Sequence, residues 1–118
     1  MKYKVTAVAD HAFRNNKKLT RVTIGQNVKS IGSKVFYRNT RLKKVIIGKN
    51  VKSIGSHAFY KEGNLKNVTV YSKTLKRVGK NAFKGIHKKA YIDVPDRKAK
   101  AYKKLLKKAA PPKGVSIQ

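Results

Sequence analysis

The sequence predicts a repeat solenoid: short parallel strands, turns and single helical turns recurring with a period of 23 residues, closed by a C-terminal capping helix. Three observations lead there. Phenylalanine occurs only at Phe13, Phe36, Phe59 and Phe83, at separations of 23, 23 and 24 residues. Whole phrases recur with it, as in NVKSIGSKVFYRN from Asn27 and NVKSIGSHAFYKE from Asn50. Apolar positions keep the same interval in further series: Leu19, Leu42 and Leu65; Val22, Val45, Val68 and Ile92; Ile24, Ile47, Val70 and Val94; Val8, Ile31, Ile54 and Val78. A unit that buries its side chains only against its neighbours must keep them at the same positions, so the residues that recur are the apolar ones.

Within one unit, Leu19, Val22 and Ile24 end in the alternation of a short strand with one buried face. Gly25 or Gly48 then permits a turn, and Val28 and Ile31 form a second extended stretch. Gly32 ends that stretch as a residue free to take positive φ. Ser33, Ser56 and Asp10 stand three residues before their Phe and are expected to cap a single helical or 3-10 turn. Inside that turn Ala12, Val35, Ala58 and Ala82 precede a structural spine of Phe13, Phe36, Phe59 and Phe83. A one-residue slip in the period falls before Leu75.

After YIDVP the composition changes, and DRKAKAYKKLLKKAA reads as a helix over 96–110. Asp96 is its expected N-cap, Ala99, Tyr102, Leu105, Leu106 and Ala109 share one face, and Pro111 and Pro112 end it. The resulting division is a repeat region over 1–95, about four coils with a truncated first one, and a cap over 96–118 with a short tail strand in GVSIQ. The chain enters mid-repeat, with Val5 aligned to Val28, so an uncapped N-terminal coil is expected to allow self-association.

The pattern L-x-x-V-x-I-G-x-N-V-x-x-I-G-x-x-A-F, carried from Val5 to roughly Ile117, resembles the BspA-like leucine-rich repeats of bacterial surface proteins. The resemblance implies a leucine-rich-repeat solenoid, here the C-terminal part of an array, and an interaction or adhesion role outside a bacterial cell. In that family the residue three after the Phe is commonly cysteine; here Asn16, Asn39, Glu62 and Ile86 hold the position. Asn retains a side-chain ladder to the backbone there, which Glu62 and Ile86 are not expected to provide.

Composition narrows the chemistry. The chain has no cysteine, so a disulfide framework and a thiolate metal site are both excluded. The opening MKYKVTAVAD lacks the apolar core of a signal peptide, and no stretch is fit to insert in a membrane. His11 and His57 share a repeat position, but Lys34 lies between them and Asn81 follows, which argues against a metal site. The serines recur because turns recur, and Gly32 and Gly55 are single rather than part of a phosphate-cradling loop. No catalytic, metal or cofactor-binding residue is assigned.

The charge is where function is sought: 31 Lys and Arg against four acidic residues, a formal +27. Lys29, Lys52 and Lys76 fall at one repeat position and form a candidate polyanion ladder. The outward strand residues Arg21, Thr23, Lys43, Lys44, Ile46, Lys66, Asn67 and Thr69, joined by Tyr91, form a candidate binding face. Thr20 and Asp93 border that face. An acidic protein or an anionic polymer is the expected partner. Nucleic acid is an alternative, nonspecific and bound through phosphate, because only six of the 31 cations are Arg and no row of exposed aromatics is evident. Tyr37 and Tyr60 are expected to pack at a coil corner. An intracellular polyanion binder and an engineered repeat scaffold are the alternatives to a surface module.

Overall fold

A computed structural model of the chain describes residues 7–8 and 18–118. Phe13, Asp10, His11, Asn16 and the first repeat's expected self-associating edge lie outside those residues. Strands β1 (Ala7–Val8), β3 (Ser30–Ile31), β5 (Ser53–Ile54) and β7 (Arg77–Val78) form one sheet in that order. Strands β2 (Arg21–Ile24), β4 (Lys44–Ile47), β6 (Asn67–Val70), β8 (Tyr91–Asp93) and β9 (Ser116–Ile117) form the other. Every strand pair is parallel.

Parallel neighbours need a long return path. Here that path, from Gly25 to Lys43 for example, carries a strand of the second sheet and a turn, so each sheet supplies the other's crossover. Like positions meet across repeats: Val22 faces Val45 and Val45 faces Val68, while Ile31 faces Ile54 and Ile54 faces Val78. Parallel strands in two sheets and a single C-terminal helix fit a repeat solenoid.

The core lies between the sheets. Leu42, Leu65, Val45, Val68, Ile47 and Ile54 are buried, and so are Phe36, Phe59 and Phe83. The three rings stack, with centroids 5.2 Å apart in both pairs and planes within 8° and 5°.

The Phe-bearing side is not the helical turn expected from the sequence. It is a run of β-turns whose third residues take positive φ: Lys34, His57 and Asn81 in one set, Arg38, Lys61 and Gly85 in the next. The reason is hydrogen bonding between repeats. Phe36 N–H donates to Ala58 C=O (2.9 Å), Phe59 N–H to Ala82 C=O (2.8 Å) and Lys34 N–H to Ser56 C=O (3.0 Å). A helical turn would direct these donors along its own axis, whereas the turns aim them at the next repeat.

The glycines after the second strand also serve a purpose different from the one expected. Gly32, Gly55 and Gly79 do not take positive φ; among the described glycines Gly85 alone does. Gly55 and Gly79 are required because stacked backbones touch there. A Cβ on Gly55 would meet Gly32 C=O at 2.6 Å, and one on Gly79 would meet the Cα of Ser56 at 2.6 Å. Gly55→Ala is expected to cost about 1–3 kcal/mol, the range for overpacking a rigid site, whereas Gly63→Ala, which meets nothing within 4 Å, should cost less. Urea denaturation of the two variants checks the contrast.

Glu62 corrects a second expectation. It is fully buried, and its Oε1 accepts the backbone N–H of Asn39 at 3.1 Å, so glutamate does supply a ladder contact between repeats. The longer side chain reaches down to the neighbouring repeat's backbone. Its other oxygen, Oε2, is buried and meets no partner among the described residues. Burial pushes the carboxyl up to about 8, against a smaller opposing effect of the Asn39 hydrogen bond. Ile86 fills the same position in the next repeat as a buried apolar residue.

At the C-terminal end, Asp96 is not an N-cap. It opens a 3-10 turn, Asp96–Lys98, preceded by Pro95, and helix α1 runs only over Ala99–Lys107. Tyr102, Leu106 and Ala109 are buried, with Ala99 and Leu105 packed at the margin. The helix stops before Pro111 because residues 108–110 are drawn into the stack of turns. Asn81 N–H donates to Lys108 C=O (3.4 Å), Phe83 N–H donates to Ala109 C=O (3.0 Å), and Ala110 takes positive φ. Strand β9 then continues the larger sheet, Ser116 N–H donating to Ala90 C=O and Gln118 N–H to Ile92 C=O, each at 3.0 Å. The extra residue before Leu75 is held by Ser72, whose buried hydroxyl donates to Val51 C=O (2.5 Å). Tyr102 pins the same segment, donating to Ser72 C=O (2.8 Å) and accepting Leu75 N–H (3.1 Å).

Candidate functional site

The outer face of the larger sheet is set by strand alternation and the repeat register. One row runs Arg21, Lys44, Asn67, Tyr91; the next runs Thr23, Ile46, Thr69, Asp93. Lys43 and Lys66 enter the strands beside them, exposed, with Lys43 N–H donating to Thr20 C=O (2.8 Å) and Lys66 N–H to Lys43 C=O (3.1 Å). The nine residues expected to form a binding face therefore lie together. Lys44, Asn67, Thr69, Tyr91 and Asp93 border a shallow depression of about 310 Å³, and the Tyr91 hydroxyl donates to Gln118 Oε1 at 3.3 Å. The face is chemically mixed, since it carries cations at one end, Asp93 at the other and Ile46 between.

The denser charge lies elsewhere. Lys52 N–H donates to Lys29 C=O and Lys76 N–H to Lys52 C=O, both at 2.8 Å, so these lysines sit on successive repeats at one strand spacing. All three side chains are exposed. At about 4.8 Å between strands, neighbouring ammonium groups in water repel by roughly 0.4–0.8 kcal/mol before their stems splay. A polyanion laid along the ladder relieves that repulsion. The exposed acidic residues among those described are Asp93 and Asp96, both near the C-terminal end.

Tyr37 and Tyr60 occupy the corner, half-buried and stacked on each other at 5.3 Å with planes 8° apart. Lys34 and Arg38 sit by the Tyr37 ring at 5.8 and 5.3 Å, and Lys61 by Tyr60 at 5.5 Å. Their faces are thus occupied by each other and by cations, which leaves ring edges rather than platforms for a base to stack on. His57 packs edge-on against Tyr60 at 5.0 Å, and Asn81 Nδ2 lies 3.4 Å from its Nε2.

One feature escaped the sequence reading. A cleft of about 660 Å³ lies between α1 and the segment leading into β7, with Leu75, Ala101 and Leu105 among its apolar residues and Lys73, Lys98, Lys104 and Lys108 among its cations. A second hollow of about 440 Å³ shares Lys76, Leu105 and Lys108 with it and passes outside the smaller sheet. The sequence signals were the slip before Leu75 and the basic helix, but only the fold brings them side by side.

No helix of the described residues is long and apolar enough to cross a membrane. Neither the curated proteins nor the solved structures returned a match. A family model described as a BspA type leucine rich repeat region (6 copies) matches residues 1–109. With parallel strands pairing like positions from repeat to repeat, the chain belongs to the BspA-type leucine-rich repeat family.

Proposed function

We propose that this chain is a noncatalytic protein-interaction module, a 23-residue-period solenoid over residues 1–95 capped by 96–118, that binds an acidic protein or anionic polymer. The observation that carries the reading is the ladder of Lys29, Lys52 and Lys76, in register and exposed. The broader charge of +27 steers anionic partners towards the whole surface. The mixed sheet face around Lys43, Lys44, Asn67 and Tyr91 is the place for contacts that select among them. Family membership supports a repeat interaction module, and display on a bacterial surface for adhesion is the setting we propose for it.

The test is salt-dependent binding of the nuclease-treated chain to heparin and to a labelled duplex oligonucleotide, repeated with Lys29, Lys52 and Lys76 all replaced by Gln. Each phosphate contact adds about 0.9 to the slope of log K against log salt on duplex DNA. The triple variant is therefore expected to lose about 3 from that slope and to keep its stability. An unchanged slope removes the ladder from the binding surface. Oligonucleotide binding that outlasts heparin binding at about 200 mM salt favours the nucleic-acid alternative.

A further inference from the structure

We infer that the cleft between α1 and the segment leading into β7, continued by the hollow along β7, is a docking site for an extended acidic peptide, which joins the smaller sheet as the strand that α1 leaves out. This site is separate from the larger sheet's face, shares Lys76 with the lysine ladder, and does not depend on the adhesion reading.

The backbone supplies the first argument. Within the smaller sheet, Lys52 C=O accepts Lys76 N–H and Ile54 C=O accepts Gly79 N–H, both at 2.8 Å, so each repeat's carbonyls are engaged by the repeat that follows. The register makes Lys76 and Val78 the equivalents of these residues on β7. No strand follows β7 in the sheet, and no backbone donor reaches the carbonyl of Lys76 or Val78 among the described residues. On the other two sides the C-terminal segment does imitate another repeat: β9 pairs with β8, and Lys108 and Ala109 accept the turn bonds from Asn81 and Phe83. Only the third side presents a helix where a strand belongs, and two hollows lie there, one along Lys73–Lys76 and a second along Arg77–Gly79, joined at Lys76, Leu105 and Lys108.

Side chains define the occupant. Leu75, Ala101 and Leu105 offer an apolar lining to alternate residues of an extended segment, while Lys73, Lys98, Lys104 and Lys108 ring it with positive charge. No acidic residue lines either hollow. Lysines beside a free strand edge repel another basic strand, so a second copy of this chain at +27 is a poor occupant. A peptide alternating acidic and apolar residues satisfies both the edge and the rim.

The probe is a fluorescein-labelled, nine-residue peptide of alternating Glu and Val with blocked ends, measured by anisotropy against the full chain at about physiological salt. Two analogues carry N-methyl groups on alternate residues, one on the odd set and one on the even set, with charge unchanged. Strand addition uses the N–H groups of one set only, so one analogue is expected to bind about tenfold or more weakly, the loss of two hydrogen bonds, and the other to bind like the parent. The Lys73→Glu/Lys108→Glu variant should weaken binding by about tenfold or more, and Lys88→Glu/Lys89→Glu, at exposed positions outside the cleft, the ladder and the larger sheet's face, by less than about threefold, as estimated for rim and remote charges. Circular dichroism confirms that both variants fold. Equal binding of both analogues and the parent, equal effects of the two charge reversals, or no binding of the peptide overturns the proposal.

Discussion

Phe59→Ala is expected to lower the free energy of unfolding by about 3–5 kcal/mol, the cost of emptying a fully packed aromatic site. The ring is stacked on both sides, by Phe36 below and Phe83 above, each at a centroid separation of 5.2 Å. No solvent reaches it. Relaxation cannot close the gap cheaply, because the backbone at this level is tied to the next repeat by the Phe59 N–H to Ala82 C=O bond and the Lys61 N–H to Lys84 C=O bond. Against a stability of about 5–15 kcal/mol for a domain of ordinary size, the loss endangers the fold. It should spread beyond one repeat, since neighbours are each other's only support. Urea denaturation followed by circular dichroism measures it, and a loss below about 1 kcal/mol would be incompatible with a packed ring stack.

The second large effect concerns Glu62 and runs opposite to the usual behaviour of protein carboxylates. Burial raises its folded pKa from 4.5 to about 8, so the folded state holds a proton that the unfolded chain has already released. The corresponding stability is fully present below about pH 4.5 and is lost as the pH rises towards 8. Within that window the loss approaches about 1.4 kcal/mol per pH unit. Glu62→Gln keeps an acceptor for Asn39 N–H and carries no charge. It is expected to match the wild type near pH 5 within about 1 kcal/mol and to exceed it by roughly 3–5 kcal/mol at pH 8 to 9. Denaturant titrations of both proteins across this range decide the matter, and parallel stability curves would mean that the carboxylate is solvated in the folded state.

The strands were legible because alternation and the recurring interval say the same thing twice. Val22, Val45 and Val68 are apolar for their own strands and again for their neighbours, and the observed pairing follows that series. The turns were not legible. An adjacent Ala and Phe pointing inward suits a helical turn as well as a β-turn, and the choice rests on donors such as Phe36 N–H finding carbonyls 22 residues away at Ala58. Gly32 looked like a residue of unusual φ, yet at the equivalent Gly55 close backbone approach was the constraint, and one chain read alone contains no neighbour to approach.

Glu62 failed for a related reason. Its type suggests an exposed side chain, while its position three after Phe59 dictates burial, and position prevailed. For the candidate surfaces, the grouping of Lys29 with Lys52 and Lys76, and of Arg21 with Lys44 and Asn67, could be read from spacing. The cleft could not, because Lys73 and Lys104 come to line one hollow only once Tyr102 has docked on Ser72 and Leu75.

Pairing like with like also makes length adjustable. Val45 rests on Val22 and carries Val68 in the same register, and nothing in such a seat records how many others lie behind it. A duplicated unit fits where its parent fits and extends each sheet by one strand spacing, about 4.8 Å. The segment from Ser72 through Tyr102 is different, because its bonds join two partners outside the repeating pattern. Copying is therefore free to act on the units before it, so that the molecule can change its reach by whole steps while the segment pinned by Tyr102 stays the same.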